Sequence, residues 1–396
     1  MTFEYDEEML MTDNASIKVV GVGGAGCNAL NRMINEQLKG VKFIAINTDT
    51  QVLEFNRAEV RLQIGANLTK GRGVGGDPDK GRKAMEEDRD HLAELLMGTD
   101  MIFITAGMGG GTGTGASPIV AEVAKELGIL TVGVVTKPFH FEGKVRMARA
   151  EEGIKQLREQ VDTLIVIPNQ RLISIVEQGT SLIDAFRIAD SILCQATKGI
   201  SDLITVPGLV NVDFADVQAV MKDGGEALMG AGHASGSNRA VEAATQAISS
   251  PLLEEVSIEG AEGVLVNICG NKEFGLHEAY AAANVIHEAV GTETNTNIKW
   301  GAVIDDSMRD ELSVTVIAAG FNKKQPKQQK PESVLKELTN PNITLQEREK
   351  PTFIRKSKAA EDDWNIRAES VFSGNAQGGF APEDLDIPAF LRKKMD

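Results

Sequence analysis

The chain has 396 residues, and its 41 Lys and Arg against 57 Asp and Glu give a formal net charge of −16. An acidic surface repels phosphate backbones, which argues against general nucleic-acid binding. The three cysteines, Cys27, Cys194 and Cys269, are far apart in sequence, so they predict neither a disulfide framework nor a zinc site and are typical of a reducing compartment.

The first half of the chain predicts alternating strands and helices after a flexible N-terminal tail at 1–14. That tail is acidic, whereas a secretory signal begins with basic residues and an apolar run. Apolar runs predict strands at Ile17–Val22, Val41–Asn47, Met101–Thr105, Ile129–Val135 and Leu164–Ile167. The segments between them predict helices at Asn28–Gln37, Ala84–Leu96, Pro118–Leu127 and Arg149–Gln160. Buried strands separated by helices indicate a parallel sheet with helices on both faces, an α/β fold.

The second half begins with a long helix. Apolar residues recur at three- and four-residue intervals from Ser181 to Ile204, and Pro207 and Gly208 end the pattern. Further helices are predicted at Phe214–Met221, Arg239–Ile248 and Glu278–Ala289, and strands at Gly263–Ile268 and Leu312–Ala318. We therefore predict a first domain at 15–178, a central connecting helix at 179–206 and a second α+β domain at 207–320.

The composition changes after residue 320. The last 76 residues contain 6 of the 12 prolines, and only 16 of them are Leu, Ile, Val or Phe, which predicts a disordered linker at 321–381. At 382–396 an apolar cluster lies between acidic and basic residues, as in a docking peptide; a frayed terminus is the alternative. The residues of this peptide that would contact a partner are Asp384, Leu385, Asp386, Ile387, Pro388, Phe390, Leu391, Arg392 and Lys393.

Two glycine-rich loops follow predicted strands. The first, Gly21 to Gly26, satisfies the G-x-G-x-x-G pattern that holds a phosphate at a helix N-terminus, and Asp49 stands where a ribose-binding acid is expected. Alone, it predicts either a Rossmann-type NAD(P) oxidoreductase or a tight turn without a ligand. The second loop has five glycines between Gly109 and Gly115, a density that suits backbone amides surrounding an anion, with Thr112 and Thr114 as further donors. Neither loop ends in the Lys-Ser/Thr pair of a P-loop NTPase.

The second loop, Gly109-Gly110-Gly111-Thr112-Gly113-Thr114-Gly115, resembles the tubulin signature loop. Together with Gly21–Asn28, Asn47-Thr48-Asp49 and Asn211–Asp216, it is similar to the FtsZ family, the bacterial tubulin homologues of cell division. The resemblance covers about residues 15 to 320 and resumes at Asp384–Lys393. It implies a tubulin-like GTPase domain, a long central helix and a second domain.

The resemblance also implies a GTP site with Mg²⁺ bound through the phosphates and with no metal ligands assigned to protein side chains. The implied nucleotide-binding residues are Gly23, Gly24, Ala25, Asn28, Asn47, Asp49, Gly109, Gly110, Gly111, Thr112, Gly113, Thr114, Gly115, Thr136, Glu142, Arg146, Asn169, Phe186 and Asp190. Phe186 and Asp190 are four residues apart and share a helix face, where a ring can stack on guanine and a carboxylate can accept hydrogen bonds from it. Without the resemblance, Phe186 reads as a core residue, and Glu142 with Arg146 reads as a surface ion pair.

Hydrolysis needs a group that positions water, and the first half contains no evident acid pair for it. In the second half, Asp213 and Asp216 are three apart at a predicted helix start, where carboxylates also serve as an ordinary N-cap and first-turn acid. The resemblance implies that Asn211, Asp213 and Asp216 complete the nucleotide site of the next subunit in a head-to-tail filament. It further implies a cytoplasmic ring at mid-cell, under the inner membrane, whose tail peptide binds membrane-tether and regulatory division proteins without direct membrane insertion. A nucleotide-binding scaffold that does not turn over is the non-enzymatic alternative.

Overall fold

The computed structural model of the protein describes residues 15–174, 176, 179–206, 208–253, 258–291, 296–305 and 308–321. The predicted N-terminal tail at 1–14, nearly all of the linker at 321–381 and the docking peptide at 382–396 lie outside these residues. Within them, ten strands form one sheet in the order β3-β2-β1-β4-β5-β6-β7-β10-β8-β9.

The first half supplies the parallel part of the sheet. Its strands are β1 (Ile17–Val22), β2 (Val41–Asn47), β3 (Val60–Gln63), β4 (Met101–Gly107), β5 (Leu130–Lys137) and β6 (Thr163–Pro168). Its helices are α1 (Gly23–Asn35), α2 (Thr50–Glu54), α3 (Ala66–Thr69), α4 (Pro78–Glu87), α5 (Arg89–Leu96), α6 (Thr112–Glu126), α7 (Lys144–Arg158) and α8 (Asn169–Leu172). In register, Ile17 lies opposite both Val41 and Met101. Because helices cover both faces, the central strands are mainly apolar, and the first six residues of β4 are all buried, whereas the edge strand β3 buries only Leu62.

The second half begins with the predicted long helix, α9 (Leu182–Thr205), and continues with the elements that extend the sheet. They are α10 (Phe214–Met221), β7 (Gly225–Ser235), α11 (Arg239–Ile248), β8 (Gly263–Gly270), α12 (Leu276–Val290), β9 (Asn297–Ile304) and β10 (Glu311–Ala319). β7 pairs with β6 in parallel over three positions and with β10 in antiparallel. One sheet therefore runs through both predicted domains, and the mixed strand directions on its far side fit the α+β character expected there.

Several helix boundaries differ from the sequence predictions. α1 begins at Gly23 instead of Asn28, and α6 begins at Thr112 instead of Pro118, because the glycines of both loops form the first helical turns. Position 115 requires glycine because α4 packs closely against this turn of α6: a Cβ there would lie 1.9 Å from the Pro78 carbonyl oxygen. The predicted helix at 84–96 is part of two helices, α4 and α5, which meet at Asp88.

Two long strands were not predicted. β7 is rich in glycine and alanine, which have low strand propensity, and β9 begins among polar residues. Both are strands because of the neighbours that they pair with: β7 lies between β6 and β10, and β9 pairs with β8 over its whole length. Sheet pairing of this kind is a tertiary property that local composition does not encode.

Candidate functional site

Two helix N-termini meet at the carboxyl edge of the parallel strands. α1 starts directly after β1 and α6 starts just after β4, and neither has a side-chain N-cap. The first N–H groups of a helix have no partner within the helix, and the helix dipole makes that end positive. Two such ends side by side form a site for an anion.

Glycines let the two loops approach each other and leave parts of the backbone open. Gly23 has φ +73°, and a Cβ on it would lie 2.7 Å from the Gly113 nitrogen. A Cβ on Gly107 would lie 2.6 Å from the Ala25 Cβ. Gly24 and Gly110 differ, since a Cβ on either would meet nothing within 4 Å. Their backbone therefore borders open space, which a ligand can enter.

The threonines of the second loop hold it in place. The Thr112 hydroxyl is 2.8 Å from the Thr48 hydroxyl, which joins the loop to the segment after β2. The Thr114 hydroxyl oxygen accepts a 2.8 Å hydrogen bond from the Gly109 amide. At the end of β5, the Thr136 carbonyl oxygen accepts a 2.9 Å hydrogen bond from the Met108 amide. Each of the three residues makes a structural hydrogen bond at this edge, and their roles as nucleotide ligands stay predictions.

The segment after β2 also lies at this edge. The Asn47 side-chain oxygen accepts the amides of Thr48 and Asp49, at 2.8 and 3.2 Å. Asp49 is the N-cap of α2 and accepts the Gln51 amide at 3.0 Å. Both side chains therefore shape the turn that carries Thr48 to the second loop.

A third glycine-rich loop, which was not predicted from the sequence, borders the same site. Gly71, Gly73, Gly75 and Gly76 all have positive φ. The Gly73 amide donates to the Thr48 carbonyl, at 3.3 Å, and a Cβ on Gly111 would lie 2.9 Å from the Asp77 nitrogen. Four glycines in the six residues 71–76 were the signal that could have identified it.

An ion pair and a buried amide lie on the far side of the second loop. Arg146 is 3.1 Å from Glu142, whose side chain is only 9% exposed and also accepts the Phe139 amide. A Cβ on Gly109 would lie 2.6 Å from the Arg146 carbonyl oxygen, so this pair borders the loop. Asn169, directly after β6, is buried and its side-chain oxygen has no hydrogen-bond partner. An unsatisfied buried acceptor is costly, so a ligand hydroxyl that donated to it would be stabilised.

Phe186 and Asp190 lie on the N-terminal half of α9. The Phe186 ring is 39% exposed and meets Phe139 edge-on, with ring centroids 5.6 Å apart. Burial raises the pKa of the Asp190 carboxyl to about 6, and the positive charge of Arg32 on α1 opposes this shift in part. A half-exposed ring beside a partly buried carboxylate suits a planar base with N–H groups on its edge.

Asn211, Asp213 and Asp216 lie at the start of α10, beside β9, where Val210 forms a bridge with Ala302. The Asn211 side-chain oxygen accepts the Gly208 amide at 2.6 Å. Asp213 is the N-cap of α10 and accepts the Asp216 amide at 2.7 Å, and Asp216 pairs with Lys299.

The position of α10 follows from its contacts with the start of β6. The Thr163 hydroxyl donates to the carbonyl of Met221, the last residue of α10, and the Gly225 amide donates to the Asp162 carbonyl at 2.9 Å. α10 therefore adjoins the amino edge of the parallel strands, whereas the glycine loops lie at the carboxyl edge. The distance along the axis of α9 from Asp190 to the end of the helix at Thr205 is roughly 22 Å, at a rise of 1.5 Å per residue.

The residues described hold no group of three or more His, Cys, Asp or Glu side chains placed to bind a metal ion. No helix in that part of the chain is long and apolar enough to span a bilayer.

Comparison with known proteins identifies both halves. Residues 16–177 match the GTPase domain of the Tubulin/FtsZ family, and residues 225–322 match the C-terminal domain of the FtsZ family. An empty FtsZ dimer from M. jannaschii is 44% identical, with a TM-score of 0.76 over 80% of this chain and 91% of that one. GDP-bound CetZ1 from Haloferax volcanii is 21% identical, with a TM-score of 0.67 over 77% of this chain and 94% of that one. CetZ2 from the same organism, a GTPγS-bound protofilament, is 20% identical, with a TM-score of 0.64 over 76% of this chain and 92% of that one. The last two likenesses concern the fold alone.

Proposed function

The chain belongs to the FtsZ family of tubulin-like GTPases, and from this premise we propose that it polymerises head to tail and hydrolyses GTP between subunits. Membership confirms the resemblance, the tubulin-like α/β fold and the GTPase activity expected from the sequence. It replaces the NAD(P) oxidoreductase alternative, which rested on the first glycine loop and Asp49 alone.

The separation between the acids and the glycine loops carries the proposal. Asp216 pairs with Lys299, the third residue of β9, and α10 ends against the start of β6, so the acids lie toward the amino edge of the sheet while the loops lie at the carboxyl edge. One subunit therefore does not bring the two together. Stacking subunits in the same orientation would place the amino edge of one against the carboxyl edge of the next. Such a heterologous contact does not close on itself and gives an open filament.

In the binding half of the site, backbone groups would hold the phosphates. The amides of Gly23, Gly24 and Gly110 lie at the two uncapped helix ends, and Ala25 and Asn28 are exposed in the first turns of α1. The Gly109 amide already donates to the Thr114 hydroxyl, so Gly109 would border the phosphates with its Cα and hold the shape of the loop. Asn169 would accept from a ribose hydroxyl, with Glu142 and Arg146 beside it. Asp190 would accept from the N–H edge of guanine, which adenine lacks, while Phe186 packs on the ring. Mg²⁺, held through the nucleotide phosphates, would offset their negative charge.

In the hydrolytic half, Asp213 and Asp216 of the neighbouring subunit would orient the attacking water, and Asn211 would shape the loop that presents them. Phosphoryl transfer depends mainly on positioning and charge, so acids that arrive only on assembly would couple hydrolysis to polymer formation. Hydrolysis would then weaken the contact that created the site.

We further propose a cellular role and partners for the filaments. The filaments would form the cytokinetic ring at mid-cell, in the cytoplasm under the inner membrane. The peptide at 382–396 would bind membrane-tether and regulatory division proteins through the linker at 321–381. The FtsZ dimer from M. jannaschii supports self-association.

A mixing experiment tests the shared site. Asp216→Asn leaves the binding half intact, whereas Gly110→Asp places a carboxylate in the open space beside the loop, where it would repel phosphate. Each variant alone should hydrolyse GTP slowly. In a random 1:1 copolymer, about a quarter of the head-to-tail contacts would join two intact halves, and activity should recover to that fraction.

The control for charge is Asp223→Asn, which removes an acid just beyond the other end of α10 at φ 55°, a conformation that Asn tolerates. This variant should hydrolyse GTP like the parent chain. A mixture no more active than the sum of its parts would refute the proposal, as would a rate per molecule that does not rise with protein concentration.

A further inference from the structure

Lys299 makes an ion pair with one of the two proposed water-positioning acids. Its ammonium nitrogen is 2.7 Å from a carboxylate oxygen of Asp216, and the two side chains are 32% and 39% exposed. Nothing in the sequence links the residues, since Asp216 is in the first turn of α10 and Lys299 lies in β9.

The pair completes a set of contacts that holds Asp216 from two sides. On one side, the Asp213 carboxylate caps α10 by accepting the Asp216 amide at 2.7 Å, which holds the backbone. On the other side, the lysine holds the carboxylate itself. The backbone of Lys299 is fixed in turn, because β9 pairs with β8 along its whole length and Lys299 lies opposite Leu265.

We propose that Lys299 is a positioning residue for hydrolysis: it orients the Asp216 carboxylate that the subunit presents to its neighbour. This inference rests on the proposed function, in which Asp216 acts on the GTP of the next subunit. The lysine also reduces the repulsion between Asp216 and the triphosphate as the two surfaces meet, since it leaves the pair with no net charge. A partly exposed ion pair contributes little to folding, so its main effect falls on the geometry of the acid.

The test is a double-mutant cycle on filaments at saturating GTP, with the rate expressed per polymerised subunit. The variants are Lys299→Met, Asp216→Asn and the two combined. Lys299→Met should lower kcat about threefold, the size expected from a partly exposed pair. In the Asp216→Asn background, the same change should have no further effect.

Two further variants separate positioning from a structural role. Lys299→Arg keeps a cation that can reach the carboxylate and should restore most of the rate. Lys222→Met removes a lysine from the C-terminal end of α10 and should match the parent chain. If Lys299→Met does not assemble, Lys299→Gln takes its place in the cycle. Circular dichroism compares the thermal unfolding of the two variants.

The outcomes distinguish this inference from the proposed function. If Asp216→Asn hydrolyses GTP at the parental rate, the proposed function fails and the inference fails with it. If Asp216→Asn is inactive while Lys299→Met keeps the parental kcat, only the inference fails. It is also overturned if Lys299→Arg is as slow as Lys299→Met, or if Lys299→Met slows the Asp216→Asn background equally.

Discussion

Lowering the pH should weaken guanine-nucleotide binding through Asp190. Burial raises the pKa of this carboxyl to about 6, which places its titration within a range where proteins are routinely studied. Only the ionised form can accept two hydrogen bonds from the N–H edge of guanine. Protonation should therefore remove the acceptor that distinguishes guanine from adenine.

The magnitude follows from the fraction ionised. With a pKa of about 6, about nine-tenths of the carboxyls are ionised at pH 7 and about one-tenth at pH 5. If binding requires the ionised form, the apparent Kd should rise about tenfold between these values, because the competent population falls by that factor. A ligand that binds only the deprotonated state of a group loses affinity as the pH falls, which is the direction expected here.

The assay is GDP binding by isothermal titration calorimetry between pH 5 and pH 8, with GDP used to avoid hydrolysis. The phosphates of GDP also titrate in this range, so Asp190→Asn serves as the matched control: it keeps the shape of the side chain and cannot ionise. The parent chain should lose affinity more steeply than the variant as the pH falls below 6. Equal slopes for the two proteins would refute the assignment of Asp190 as the guanine acceptor.

Three other predictions concern packing, thiol chemistry and the tail. Gly115→Ala should lower the free energy of unfolding, measured by urea denaturation, by about 1–3 kcal/mol, because its Cβ would collide with the backbone of α4. Gly24→Ala, whose Cβ would meet nothing within 4 Å, should leave the free energy of unfolding nearly unchanged. Equal effects of the two changes would contradict this packing argument. Iodoacetamide should label Cys27 and Cys194 slowly at pH 8 until the chain is unfolded. Burial raises the pKa of both thiols, that of Cys27 to about 12, so little reactive thiolate is present in the folded chain. Fast labelling of the folded chain would refute this prediction. Deleting Asp384–Asp396 should leave GTP-dependent light scattering intact while abolishing binding to a membrane-tether protein, and retained binding would place the docking segment elsewhere.

Many elements of the fold could be predicted from local signals. The long helix α9 was predicted to within one residue at each end, because Ser181 caps it and the apolar residues recur with the helical period. The predicted bounds of α10 and α11 agree with the structure. The first turns of α1 and α6 were misplaced, because glycine has low helix propensity and only packing against the neighbouring loop or helix makes it helical here.

The candidate site could also be predicted from the sequence only in part. The two glycine loops were recognisable because they follow apolar strands, and the parallel sheet brings the ends of those strands to one edge. The third loop at 71–76 was missed although its glycines are evident, because no strand was predicted before it. The roles of Asn211, Asp213 and Asp216 stay predictions, and their position at the opposite edge of the sheet could not be read from spacing.

The sequence by itself determined that the chain carries two glycine-rich loops after apolar strands, a long capped helix and a tail of different composition, because each of these depends on residues that are close in the chain. Only the tertiary structure decided how distant parts meet. It placed the glycine loops against each other at one edge, put the acids at the other edge, and brought Lys299 to Asp216. These contacts depend on strand order and helix packing, which are set by burial of apolar surface over the whole fold, and no local pattern specifies them.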